Sequence, residues 1–199
     1  VDTYARIALW LVNSLVVVIA LLNFKEYKHY GSVLLLSMAG LNGLLLTNDL
    51  FNFFVFLEIA SIAAYLITVS NKKFIDTFHY IVMGVLGGSL FLFGVAILYA
   101  MTGSLNMIVI ATQLETNGQY KDVILPFIFM FAGLGVEVKL LPFNAWVKGV
   151  LASSNTFSGP MIASVYAAAM SFAMGRLLTN LLVFEGALLS IVMIILILL

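Results

Sequence analysis

The sequence predicts an all-α, polytopic membrane protein with about seven transmembrane helices. Its 199 residues are 63% hydrophobic and only 9% charged, whereas a soluble domain carries about 25% charged residues. Lipid offers no partners to backbone groups, so only helices and closed barrels cross a membrane. The apolar runs are much longer than the alternating strands of a barrel, which span about ten residues. Helices are therefore the predicted elements.

The apolar segments follow one another along the chain, and each is near the roughly 20 residues that a helix needs to cross. They cover residues 5–22, 30–46, 50–69, 78–101, 124–150, 160–178 and 183–199. We expect one membrane domain over residues 1–199. Because its last six residues are all apolar, we also expect a fragment, or a subunit covered by a neighbour. The connection over residues 102–123 has two open interpretations: a short surface helix over 105–114, or an ordinary loop.

The composition argues against several classes of function. The formal net charge is zero, so no nucleic-acid partner is indicated. The absence of cysteine leaves no disulfide, thiolate zinc site or iron–sulfur ligation. The two histidines, His29 and His79, have no metal-ligand spacing. We therefore expect no metal, no cofactor and no redox catalysis in this chain.

The basic residues predict that the N-terminus lies outside the cell membrane. If every segment crosses once, one side carries the lysines at 25, 28, 72, 73 and 148. The other side carries Arg6, Lys121 and Arg176. The positive-inside rule counts only basic residues and assigns the first side to the cytoplasm.

Lys139 is the strongest functional candidate. It follows an apolar run that begins at Ile124, and a lysine at membrane depth usually faces a wet cavity and marks an ion pathway. Pro142 lies three residues later and is expected to break the helix, because proline lacks an N–H and crowds the carbonyl of Val138. The alternative is a lysine at a helix end that extends to the membrane surface.

Glu58 lies near the middle of the third apolar segment. Burial disfavours the charged forms of both carboxylate and ammonium, so Glu58 and Lys139 would keep each other charged when close together. Separation would favour loss of the lysine proton, which is what a proton-loading site requires. A buried structural ion pair is the alternative.

Three further features have weaker interpretations. Glu137 is about 200° around a helix from Lys139, so we expect it to need another partner or a wet surface, most simply as an interface carboxylate. His79 opens the fourth segment and either passes protons or is an interfacial residue. The spacing of Gly84 and Gly88 predicts the close approach of another helix.

Three motifs together resemble one family. They are DLFNFFVFLE, which ends in Glu58; FHYIVMGVLGGSLFLFGVAILYAMTGSL, which contains His79; and GVEVKLLPFNAW, which contains Lys139. They resemble the antiporter-like subunits of respiratory complex I, the Mrp-type cation/proton antiporters, and the related membrane-bound hydrogenases and sulfane reductases. Arg176 falls where this family commonly ends the following helix with arginine.

The resemblance implies one antiporter-type five-helix repeat over about residues 30–178, with a broken lysine-bearing helix and flanking helices at 1–29 and 179–199. In such subunits the glutamate and lysine form a pair, and the lysine passes protons to a further lysine or histidine. Here the corresponding positions fall on Ile162 and Ala168, neither of which titrates. The histidine that often precedes the tryptophan is Asn144.

The resemblance therefore implies a membrane-arm subunit of a complex I-related, redox-driven ion pump. Its partners would be other membrane-arm subunits of a hetero-oligomeric redox complex, the lipid bilayer, and protons or sodium ions. The alternative is a structural antiporter-like subunit that has lost its own ion path, which the missing groups at Ile162 and Ala168 favour. An independent carrier of small organic solutes has no support beyond the several predicted spans.

Overall fold

Helices account for nearly all of residues 3–69, 74–117, 123–140 and 143–181, which the computed structural model describes. Most of α8 is α-helical, but Met161–Tyr166 form a π-helical segment within it. The helices are α1 (Thr3–Leu22), α2 (Phe24–Leu46), α3 (Leu50–Val69), α4 (Phe74–Thr102), α5 (Met107–Asn117), α6 (Ile124–Val138), α7 (Ala145–Ser153) and α8 (Ser158–Leu181).

The all-helical membrane fold is confirmed. Within the described part of the chain, four helices are long and apolar enough to cross a membrane, namely α1, α3, α4 and α8. The apolar part of α2 (Tyr30–Leu46) and α6 are shorter. The seventh predicted segment, 183–199, lies outside the described residues, as do Lys72, Lys73 and Lys121, so the count of seven and the orientation remain predictions.

The 102–123 connection contains a short helix, α5, so the prediction of a helix there is correct and that of an ordinary loop is wrong. Met107, Ile110 and Leu114 recur on one helical face and are buried. The Asn106 side chain accepts a hydrogen bond of 3.0 Å from the Ile108 amide and thereby caps the first turn.

The turn before α3 is tied to the turn before α5. The Leu50 amide donates to the Leu105 carbonyl at 2.9 Å, and the Met107 amide donates to the Asn48 carbonyl at 2.9 Å. Buried Arg176 of α8 reaches the same place, where its guanidinium donates to the Leu45 carbonyl and to the Asn48 side chain. A cation that bonds the last carbonyls of a helix stabilises its C-terminus, so Arg176 fixes the end of α2.

Small residues bring α4 and α6 into backbone contact. A Cβ built at Gly87 would lie 2.9 Å from the Gly133 carbonyl oxygen, and one built at Gly94 would lie 2.6 Å from that of Pro126. These glycines therefore make the close helix approach that the sequence had assigned to Gly84 and Gly88. At Gly84 and Gly88 the neighbouring helices are met through their side chains, which include those of Tyr65, Glu137 and Glu58.

Candidate functional site

Helix α6 ends beside a lysine in a left-handed conformation. Lys139 has φ 68° and ψ 33°, and no other described non-glycine residue has a positive φ. Its amide donates to the Val136 carbonyl at 3.2 Å, and the Leu140 amide donates to the Gly135 carbonyl at 2.9 Å. These two bonds form a Schellman motif, whose left-handed position is usually occupied by glycine. A lysine there costs roughly 1–2 kcal/mol, and backbone strain of this kind clusters at functional sites.

The chain forms a turn before the next helix begins. The Phe143 amide donates to the Leu140 carbonyl at 2.8 Å, and α7 starts at Ala145. Lys139 therefore lies at the gap between α6 and α7. Pro142 lies outside the described residues, so its role as the cause of the break remains a prediction.

Three polar side chains share one face of α3. Glu58, Ser61 and Tyr65 are three and four residues apart, which places them on the same side of the helix. The half-buried Glu58 lies against α4, since a Cβ built at Gly88 would clash with its Oε1 and lie 3.2 Å from its carboxyl carbon. Ser61 lies on the same face and is buried. This face therefore directs polar groups towards α4.

Glu137 reaches the same region from α6. It is only 4% exposed, and a Cβ built at Gly84 would lie 3.1 Å from its Oε1 and 3.0 Å from Tyr65 Cζ. Gly84 and Gly88 are about one turn, or about 6 Å, apart along α4. Each thus leaves space for one carboxylate, that of Glu137 at Gly84 and that of Glu58 at Gly88. The predicted interface position of Glu137 is wrong, because this carboxylate is buried.

Lys139 follows Glu137 by two residues and lies beyond the end of α6 at Val138. The expectation that Glu137 needs another partner remains a prediction. It assumed helical spacing as far as residue 139, whereas α6 ends at Val138 and the chain then turns. The Glu58 carboxylate lies about one helical turn from that of Glu137 along α4. No direct contact between Glu58 and Lys139 is seen among the described residues, so that pair remains a prediction.

Aromatic rings connect this cluster to α7. Tyr65 packs edge-on against Tyr80, with ring centroids 4.7 Å apart, and Tyr80 stacks on Trp146 at 4.2 Å with an interplanar angle of 8°. Tyr80 is also within electrostatic reach of Glu137. Trp146 lies near the start of α7, shortly after the break between α6 and α7. Through its stacking on Tyr80 it connects α7 to the tyrosine pair beside Glu137.

His79 lies apart from the cluster. It is exposed at the start of α4, whereas its neighbour Tyr80 is buried. His79 borders a groove of about 310 Å³ that is also lined by Val82, Met83, Ala145 and Trp146. The structure therefore places the carboxylates of Glu58 and Glu137 beside α4 and leaves His79 on another face.

Tyr166 is a buried polar residue that the sequence analysis missed. It is 1% exposed, and its hydroxyl lies 2.7 Å from that of Ser37. Ile162, one of the positions expected to carry a proton, is fully buried in the same π-helical segment. The sequence offered one signal for Tyr166, a hydroxyl-bearing residue within an apolar run.

Taken together, these groups can hold and redistribute a proton. Two carboxylates about one turn apart resist carrying two negative charges in a medium of low polarity, so they favour a shared cation or proton. Lys139 supplies such a cation and lies at a turn rather than within a helix. Among the described residues, no group of three or more histidine, aspartate or glutamate side chains could hold a metal ion.

Comparison with known proteins shows which family the chain belongs to. Residues 47–199 match the family described as NADH:quinone oxidoreductase/Mrp antiporter, transmembrane. NADH-quinone oxidoreductase subunit N of Desulforudis audaxviator is 35% identical over 156 residues, which are 77% of this chain and 31% of that protein. A Na⁺/H⁺ antiporter subunit of Bacillus subtilis is 32% identical over 128 residues, or 63% and 26% of the two chains. The chain thus spans about a quarter to a third of the length of these relatives.

A solved structure has the same fold. It is that of the membrane-bound sulfane sulfur reductase, an archaeal respiratory membrane complex. One of its chains superposes with a TM-score of 0.85 at 32% identity, and the match covers 98% of this chain and 41% of that one. The helical arrangement described above is therefore one that occurs in a respiratory membrane complex.

Proposed function

Because the chain belongs to the NADH:quinone oxidoreductase/Mrp antiporter transmembrane family, we propose that it is part of a membrane-arm subunit of a redox-driven ion pump. The observation that carries this proposal is a buried carboxylate, Glu137, and a half-buried one, Glu58, about one turn apart along α4, with Lys139 at the gap between α6 and α7. Buried ionisable groups in membrane helices are rare and usually mark ion paths.

Glu58 and Lys139 form the coupled pair in this proposal. Lys139 lies two residues beyond Glu137, and the Glu58 carboxylate lies about one turn from that of Glu137 along α4. A short movement of the lysine at the turn exchanges one carboxylate partner for the other. The carboxylate that it leaves then favours a proton, because a buried negative charge without a partner is disfavoured.

The strained backbone supports such a movement. A left-handed lysine is roughly 1–2 kcal/mol less stable than a glycine would be at that position. Contacts with the surrounding residues, and not the intrinsic preference of lysine, therefore keep Lys139 in the left-handed conformation. A changed charge on a nearby carboxylate can move the turn out of it. His79, at the exposed start of α4, has a secondary place in the proposed path as a group at its entrance.

The remaining parts of the proposal concern the assembly. The transported ion is a proton or sodium, and the partners are other membrane-arm subunits of a redox complex within the lipid bilayer. The electron-transfer centres belong to those partners. Residues 30–178 form one antiporter-type repeat, residues 1–29 and 179–199 flank it, and the N-terminus faces outside.

A structural subunit without its own ion path is the second candidate. The observation that favours it is that Ile162 and Ala168 of α8 cannot titrate. In that case the cluster of Glu58, Glu137 and Lys139 would serve only to hold α3, α4 and α6 together.

Reconstitution into liposomes tests the proposal. The purified chain alone is expected to give no ion-coupled proton flux, as measured by a pH-sensitive dye inside, because Ile162 and Ala168 interrupt the path. The assembled complex is expected to pump, and Lys139→Ala is expected to lower its proton flux at least tenfold. Lys148→Ala is the control, since Lys148 is exposed on α7. Undiminished pumping by the Lys139→Ala complex would favour the structural subunit. Flux from the chain alone, abolished by Lys139→Ala, would show a complete transporter instead.

A further inference from the structure

The first turns of α1 border a groove that none of the proposed path residues lines. The groove has a volume of about 270 Å³ and is lined by Arg6, Leu9, Trp10 and Asn13. These positions are three or four residues apart, so they form one face of the helix. Because α1 is long and apolar enough to cross a membrane, its first turns lie near one membrane surface. The groove therefore begins at the level of the lipid headgroups.

Two exposed side chains give the groove the chemistry of a headgroup site. Trp10 is 80% exposed, and tryptophan is enriched at the level of the headgroups, where its ring is partly in contact with apolar chains. Arg6 is also exposed, and among the described residues its guanidinium donates to Thr3 Oγ1 at 3.1 Å. A guanidinium has five N–H donors in a planar fork, so its other donors can bind a phosphate at two oxygen atoms.

Asn13 fixes the deeper end of the groove. Asn13 and Asn42 exchange two side-chain hydrogen bonds, of 2.9 and 3.2 Å, between α1 and α2. The Asn13 amide also donates to the Leu9 carbonyl at 2.8 Å. Both amide protons are thus engaged within the protein, so Asn13 shapes the groove without supplying a ligand contact. Since Asn13 lies about 10 Å along the helix from Arg6, an acyl chain can run past Leu9 towards the membrane centre while its headgroup stays at Arg6.

We propose that this groove binds one anionic phospholipid, with its phosphate held by Arg6 and its glycerol and upper acyl chains packed on Trp10 and Leu9. Charge complementarity selects this occupant, because a guanidinium favours a headgroup with a net negative charge over a zwitterionic one that carries its own cation. The inference goes beyond the proposed function and does not depend on ion translocation. It gives α1 a binding site of its own.

The test measures lipid binding to the purified chain after its own lipids have been removed in mild detergent. Native mass spectrometry compares the affinities for phosphatidylglycerol and for phosphatidylcholine with the same acyl chains. Phosphatidylglycerol is expected to bind at least threefold more tightly, because one basic residue near a membrane surface contributes roughly a fivefold preference for anionic lipid. Arg6→Gln is expected to abolish this preference and to leave phosphatidylcholine binding unchanged.

Two further variants separate a site at the groove from a general effect of charge. Lys25→Gln is the matched control, since it removes an equal charge at an exposed position of α2 outside the groove. Trp10→Ala is expected to weaken the binding of both lipids at least threefold, because it removes the apolar wall. Equal affinities of the unaltered chain for the two lipids would overturn the proposal. An equal loss of preference in Lys25→Gln and Arg6→Gln would overturn it as well.

Crosslinking in the assembled complex distinguishes a lipid from a partner protein at this groove. Photoreactive p-benzoylphenylalanine in place of Trp10 is expected to crosslink to phospholipid. Crosslinking to a neighbouring subunit instead would show that the groove is a protein interface and would overturn the proposal. Because no readout here is ion translocation, the proposed function can fail in the liposome assay while the lipid site stands, and the reverse.

Discussion

Replacing Lys139 with glycine is expected to give a more stable protein than replacing it with alanine, although both changes remove the same ammonium group. Lys139 has φ 68° and ψ 33°, where a Cβ costs about 1–2 kcal/mol. Alanine keeps that Cβ and glycine does not. Glycine also has more conformational freedom in the unfolded chain, which lowers the free energy of unfolding of the glycine variant by about 0.4–1 kcal/mol. The net difference is about 1 kcal/mol in favour of glycine, or roughly fivefold in the folding equilibrium.

Equilibrium unfolding in mixed detergent micelles measures this difference through tryptophan fluorescence. Trp146 reports on the region, because it stacks on Tyr80 just beyond the turn. Ile128 is the matched control, since it lies within α6 with 58% of its side chain exposed. There the order is expected to reverse, with alanine more stable than glycine by about 0.5–1 kcal/mol. A Lys139→Gly variant no more stable than Lys139→Ala, with the control behaving as expected, would refute the inferred strain.

Two further changes test the fold around the cluster. Gly88→Ala places a Cβ against the Glu58 carboxylate, so we expect it to displace Glu58 and lower proton translocation by the assembled complex; Gly31→Ala, with nothing within 4 Å, is its control. Normal translocation by the Gly88→Ala complex would count against a role for the position of Glu58. Arg176→Gln removes the charged donor to the end of α2 and is expected to lower the free energy of unfolding by about 2–3 kcal/mol, whereas exposed Arg6→Gln changes it by less than about 0.5 kcal/mol. Equal effects of the two arginine changes would show that the buried contacts of Arg176 add no stability.

The helical fold was predictable because membrane helices are set mainly by local composition. The predicted segment 50–69 coincides with α3, whereas the predicted segment 124–150 contains both α6 and most of α7. Helices α2 and α4 begin several residues before the predicted runs, since helical backbone continues past the apolar segment into polar residues. Hydropathy identifies the part of a helix that suits lipid, and it does not define where hydrogen bonding starts.

The arrangement of the candidate site was less predictable. Glu58 and Lys139 stood out because charge within an apolar run is unusual. The burial of Glu137 was not predicted, because helical spacing relates neighbours along α6 and does not show that α4 packs against this side chain. The link between Ser37 and Tyr166 joins residues that are 129 apart in the sequence, and no local pattern predicts such a contact.

The most direct test of the proposed pair is the number of protons that the assembled complex moves per electron when Glu58→Gln and Lys139→Ala are made singly and together. Glu115→Gln is the control, because that carboxylate is exposed on α5. If Glu58 and Lys139 act as one unit, each single change is expected to lower the ratio at least fivefold, and the double change is expected to lower it no further. An unchanged ratio in Glu58→Gln, or independent losses that multiply in the double variant, would contradict the pair.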